Sequence, residues 1–149
     1  MIRVQTDDFD MAQVLDDLRK HNPKVGAIVS FVGLVRDIND SAEVTTLTLE
    51  HYPEMTQKSL QAIVDQAKQR WDIIDAVVIH RVGTLLPTDQ IVLVAISSAH
   101  RQAAFSACEF VMDYLKTQAP FWKKETNSQG ARWVEAKASD DEAQARWTQ

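Results

Sequence analysis

A single cysteine, Cys108, in 149 residues excludes an internal disulfide and any multi-cysteine metal site. No stretch approaches the ~20 apolar residues of a membrane span. The first ten residues carry Asp7, Asp8 and Asp10 without an apolar core, so no signal peptide is expected. Glycines and prolines number four each, and no linker, low-complexity tract or tandem repeat is present. The dinucleotide-binding, P-loop, HExxH and CxxC signatures are all absent. Gly26 and Gly33 flank a strand-like run rather than opening a helix. The histidines, at 21, 51, 80 and 100, have no ligand spacing, so chemistry without a metal or cofactor is expected. Positive charge is in deficit. Sixteen Lys and Arg against 21 Asp and Glu give a net charge of −5, which argues against a general nucleic-acid binder.

What remains is ordinary globular composition, 45% hydrophobic and 25% charged. One domain of this length buries enough surface to fold without a staple. A reducing compartment, the cytoplasm, is the expected setting.

Met11, Val14, Leu15 and Leu18 recur at helical spacing behind a run of aspartates, and Asn22-Pro23 ends that helix. Residues 25–35 read VGAIVSFVGLV, a β-rich run. Residues 36–43 are polar and turn-like, a candidate mobile loop. Residues 44–51 alternate as a strand with Thr45, Leu47 and Leu49 on one face. Pro53 opens a second helix with an apolar stripe of Leu60, Ile63, Val64, Ala67 and Trp71. Strands follow over 73–82 and 90–98, and Ser97 or Ser98 is the expected cap of a third helix that Pro120 stops. FWKKETNSQGARWVEA reads as a hairpin turning at Asn127 to Gly130, with Trp122 and Trp133 paired across it by packing. Residues 137–149 read as a polar tail or frayed helix, leaving 1–136 as the domain proper. The pattern predicts one α+β domain with a mainly antiparallel sheet and packed helices.

Between His100 and Lys124, the cations Arg101, Lys116, Lys123 and Lys124 face only Glu109 and Asp113. His100 and Arg101 fall at a helix start, where backbone N–H groups and the dipole favour an anion that Arg can hold bidentately. A solvated cap is the plain alternative. Lys116 lies near a helix C-terminus, which it would equally suit by complementing the dipole. Strand alternation groups Phe121, Lys123 and Glu125 on one face and Trp122 and Lys124 on the other, so one of the two lysines faces a cleft. A desolvated lysine beside other cations has its pKa pulled below ~10.4 and becomes usable as a base. Lys123 and Glu125 could equally form a simple ion pair. Arg36, at the head of the polar loop, is a further candidate anion contact. Cys108 lies on an apolar stripe and reads as a small buried hydrophobe.

The strings GAIVSFVGLVRD, LTLEHYPEM, HRVGTL, SSAHRQAAFSAC and LKTQAPFWKKE, in this order, resemble the large, catalytic subunits of molybdopterin synthases. The resemblance runs from about Phe9 to Ala136. It implies an α/β-hammerhead fold and a homodimer, each copy binding one small ubiquitin-like subunit to make a heterotetramer. The partner's C-terminal Gly-Gly carries a thiocarboxylate that delivers sulfur to cyclic pyranopterin monophosphate, forming the dithiolene of molybdopterin. Matched by motif, Lys116 and Lys123 fall on the family's catalytic lysines. Leu34, Val35, Arg36, His100, Arg101, Lys124 and Glu125 fall on its substrate pocket, and the resemblance implies no metal and no cofactor. One departure is Thr88, where the family's turn suggests glycine. Two other readings use the same residues: a module that docks a ubiquitin-like tail without chemistry, and a phosphate or nucleotide sensor.

Overall fold

The computed structural model describes residues 1–39, 42–134 and 137–148. Strand β1 (Ile2–Gln5) opens the chain and leads into α1 (Met11–Lys20), whose Asp10 side chain caps it by accepting from the Gln13 amide. Then come β2 (Ala27–Leu34), the short pair β3 (Ile38–Asn39) and β4 (Ala42–Glu43), and β5 (Thr46–His51). Helix α2 (Pro53–Arg70) starts on its proline and buries Leu60, Ile63, Val64 and Ala67. Strands β6 (Asp75–Arg81), β7 (Gly83–Leu85) and β8 (Gln90–Ser98) precede α3 (Arg101–Gln118), and the hairpin β9 (Phe121–Asn127) with β10 (Gly130–Val134) leads to α4 (Ala138–Ala145).

Two four-stranded sheets organise the α+β domain, in the orders β1-β6-β8-β2 and β10-β9-β5-β7. All pairings are antiparallel except β1 with β6. Helices α2 and α3 pack on one face of the first sheet around Val78, Val94, Ile96, Phe110 and Val111, and α1 covers Val77, Ile79, Leu93 and Ala95 on the other. The second sheet buries Leu47, Leu49 and Leu85 with Val35 and Val82. Gly26 is fixed by close approach, because a Cβ there would meet the Ala99 carbonyl oxygen at 2.2 Å.

Several expectations change. The N-terminal residues form β1, whose four positions lack a strong alternation but gain the parallel ladder with β6. The polar loop contains the β3–β4 ladder and buries Asn39, while Asp40 and Ser41 lie outside the described residues. Neither Ser97 nor Ser98 caps α3. His100 is the N-cap residue, and the Ser98 hydroxyl accepts its N–H at 3.4 Å. Trp122 and Trp133 do not pair. Trp133 stands opposite Lys124, and Trp122 meets the edge of Tyr52 at 4.7 Å. The stretch after residue 137 packs on α3: Arg146 bonds Glu109 and Asp113, and Trp147 lies against Trp71 and Phe110. Among the described residues, no helix is long and apolar enough to cross a membrane.

Candidate active site

Where the two sheets meet, a cavity of about 440 Å³ opens between the end of β2, strands β5, β6, β8 and β9, the last turn of α3, and α4. Its cations come from four places. Arg36 follows β2, Lys116 ends α3, Lys123 rises from β9, and Lys137 precedes α4. Lys116 stays exposed because the last turn of α3 tips it off the buried stripe that ends at Leu115. Lys123 shares its strand face with Phe121 and Glu125, both of which line the cavity, as period-two alternation requires.

Burial, followed by the neighbouring charge of Lys116, pulls the Lys123 ammonium down to about 8, against a weaker upward pull from Asp140 and Glu125. Lys123, the less exposed of the two, is thus the lysine that becomes an amine most readily. A free amine beside an ammonium can take a proton while its neighbour holds an anion.

Glu125 is the buried acid of the site and is already engaged. Its carboxylate accepts a very short bond from the Asn39 side chain and another from Arg132 at 3.2 Å. Asn39 also accepts from Lys137 at 3.1 Å. This cluster fastens the β3 segment and the start of α4 to β9 across the rim of the cavity. Glu125 therefore supports the site by holding its rim together.

The structure brings together Val35, Arg36, Lys116, Lys123 and Glu125. It leaves four candidates outside. Lys124 points to the opposite sheet face, 5.7 Å above the Trp133 ring. Leu34 is exposed at the end of β2, on the other side of the strand from Gly33 and Val35. His100 and Arg101 begin α3, and at ~1.5 Å rise per residue they stand roughly 22 Å from Lys116 at its other end. The cavity that holds Lys116 is not lined by His100 or Arg101 of the same chain.

His80 is one polar lining residue that sequence reasoning missed, along with Asn39, Lys137 and Asp140. It is 3% exposed on β6, and its ring stacks on Phe121 at 3.8 Å. The signal was faint, since a histidine in a β-rich run reads first as core. Cys108 is buried as expected, with the thiol pushed up to about 11 by burial, so it is no nucleophile here. Among the described residues, no group of three His, Cys, Asp or Glu is placed to hold a metal ion.

Fold and cavity together define a single-domain α+β protein whose two main sheets close around a lysine pair. A family model described as MoaE protein matches residues 4–118, and the chain belongs to that family. A molybdopterin synthase catalytic subunit from Ralstonia nicotianae is 62% identical over 98% of this chain and 83% of its own length. Among solved structures, a molybdopterin biosynthesis MoaE protein from Burkholderia ambifaria superposes with a TM-score of 0.85 at 55% identity, covering 100% of this chain and 98% of that one. Molybdopterin synthase from Staphylococcus aureus superposes at 0.82 with 32% identity, over 89% of this chain and 95% of its own.

Proposed function

We propose that this chain transfers sulfur from the C-terminal thiocarboxylate of a small ubiquitin-like subunit to cyclic pyranopterin monophosphate, forming the dithiolene of molybdopterin. The observation that carries the reading is the Lys116–Lys123 pair in a cavity with Arg36. It suits an anionic substrate whose conversion moves protons. Lys116, as an ammonium, stabilises the negative charge that develops when the thiocarboxylate attacks and the acyl group leaves. Lys123, as an amine, accepts and returns the proton. Two sulfurs require two partner tails: each thiocarboxylate sulfur bonds to a substrate carbon, water then cleaves the acyl–sulfur bond so that the sulfur stays behind and the tail leaves as a carboxylate, and the cyclic phosphate ester opens at one of its carbon–oxygen bonds. The sulfur belongs to the partner, in keeping with a buried, inert Cys108.

His100 and Arg101 enter this proposal as contributions from a second copy in a homodimer, because their own helix holds them away from their own cavity. Leu34 and Lys124 lie outside this cavity in their own copy. One small subunit on each copy makes a heterotetramer, and the reaction is placed in the cytoplasm.

The test is a reconstituted reaction of thiocarboxylated small subunit and cyclic pyranopterin monophosphate with the wild type and with Lys116→Ala. The reading expects dithiolene product from the wild type and a loss of about 100-fold or more in a variant that still binds its partner. A folded, partner-bound wild type that yields no product would leave a docking module as the account.

A further inference from the structure

The segment that carries Arg36 along the rim of the cavity is tied to the sheets at both ends. It leaves β2 at Val35, whose amide donates to the Asp89 carbonyl at 2.9 Å and whose carbonyl accepts from Thr88 at 2.8 Å. It rejoins at Thr45, whose amide donates to the Thr126 carbonyl at 2.7 Å. Between these ends β3 pairs with β4, a hairpin hinged on its own base. Arg36 is exposed, and among the described residues no hydrogen bond or ion pair holds its guanidinium. Where that group reaches depends on how the hairpin lies.

Asn39 sets the hairpin against β9. It is 8% exposed, a buried amide among charged groups. Its Nδ2 donates to Glu125 Oε1 in a very short bond, between residues 86 apart in the chain. Its Oδ1 accepts from Lys137 Nζ at 3.1 Å. A carboxylate on one side and an ammonium on the other leave the amide one orientation. The Asn39 carbonyl accepts from Arg132 at 3.5 Å, and the same guanidinium donates to Glu125 Oε2 at 3.2 Å. Glu125 stands two residues after Lys123, on the same face of the strand. One side chain thus joins the segment of Arg36 to the strand of Lys123.

We propose that Asn39 is a positioning residue of the cavity: its amide fixes where Arg36 stands relative to Lys123, and with it the hold on the substrate's anionic group, an inference that rests on reading Arg36 as the anion contact. The residue type fits the task. An aspartate would set two carboxylates together, and an apolar side chain would leave Glu125 Oε1 buried without its donor.

The experiment measures binding of cyclic pyranopterin monophosphate to the complex with a small subunit whose tail ends in an ordinary, unreactive carboxylate. The variants are Asn39→Ala, Arg36→Ala and the two together. Asn39→Ala is expected to weaken binding about tenfold, as the misplacement of one charge-assisted contact would. In the Arg36→Ala background it costs less than about twofold, because a residue that acts through Arg36 then has nothing left to place. With the thiocarboxylated subunit, Asn39→Ala raises KM about tenfold and leaves kcat within about twofold. Equal losses of binding in both backgrounds, or a fall in kcat with KM unchanged, overturn the proposal.

Should Asn39→Ala fail to fold, the pair is exchanged instead. Asn39→Asp alone weakens binding, and adding Glu125→Gln gives every donor an acceptor again and restores it. A double exchange no better than Asn39→Asp alone overturns the proposal. Inorganic phosphate, titrated into the unliganded chain and followed by amide NMR shifts, repeats the Arg36 and Asn39 cycle without the pterin. The same coupling toward phosphate in a chain that yields no dithiolene sinks the sulfur-transfer reading and supports this one. A wild type that binds neither anion overturns both.

Discussion

Lys116 and Lys123 line one cavity from different elements, one from the last turn of α3 and the other from β9, and the charge of Lys116 bears on the Lys123 ammonium. Burial and the neighbouring charge of Lys116 pull the Lys123 ammonium down to about 8, below the usual lysine range. Substrate binding and proton transfer can thus be served by two copies of the same residue type.

Such a site works against the fold, and that can be measured. Lys123 loses its proton at about 8 in the folded chain, against 10.5 for an ordinary lysine. Between these values the unfolded chain holds more protons, so stability rises with pH through the window and the cost is full below it. Lys123→Met is expected to raise stability at pH 7 by ~2 kcal/mol while abolishing activity. Thermal unfolding at pH 7 and above 10 checks it. A Met variant that is less stable at both would contradict the account.

His80 contributes a second dependence at lower pH. Burial, aided by Lys123 and Lys116, holds its ring neutral down to about 3, against an ordinary 6.5. Between these values only the unfolded chain takes up the proton, so stability falls on acidification through that range, by up to ~1.4 kcal/mol per pH unit. His80→Gln removes this slope, as denaturant midpoints at two acidic pH values would show. An equal slope in the variant assigns the acid sensitivity elsewhere.

Thr88 lies at φ 76° in the turn between β7 and β8, the conformation where glycine was expected. Its amide still bonds the Val35 carbonyl at 2.8 Å, so the turn braces a residue that lines the cavity. A β-branched side chain there is strained, and Thr88→Gly is expected to gain about 0.5–1 kcal/mol with activity unchanged. Thermal unfolding decides, and a loss of stability would mean that the threonine side chain contributes more than its backbone costs.

Trp147 closes an aromatic group with Trp71 and Phe110, and its indole N–H donates to Asp113 at 2.7 Å. Trp147→Ala is expected to cost about 2 kcal/mol, with a change in the near-ultraviolet dichroism that reports fixed aromatic packing. An unchanged spectrum and melting point would show that the C-terminal helix adds nothing to the core.

How much of this was legible in the sequence depended on the range of the interaction involved. The helical stripes of α2 and α3, the Asn127–Gly130 turn and the opposite facing of Lys123 and Lys124 follow from local periodicity, and each appears where it was expected. β1 was missed because its strand character comes from a partner more than 70 residues away. His80 was missed for a similar reason. Its place in the cavity depends on Phe121 crossing from the other sheet, which no spacing in the chain encodes. The cationic cluster was visible as composition, but its geometry was not. A contiguous motif from His100 to Lys124 spans a whole helix, which carries its two ends to different places.

The central claim is that an uncharged Lys123 does the work beside a charged Lys116. It is tested most directly by the pH dependence of single-turnover sulfur transfer in the reconstituted complex, with Lys123→Met as the control. The account predicts a rate that rises with pH through a midpoint near 8, where Lys123 becomes an amine, and a control that shows no such limb. A rate that is flat from about pH 6 to 10 in the wild type, or a fully active control, would contradict it.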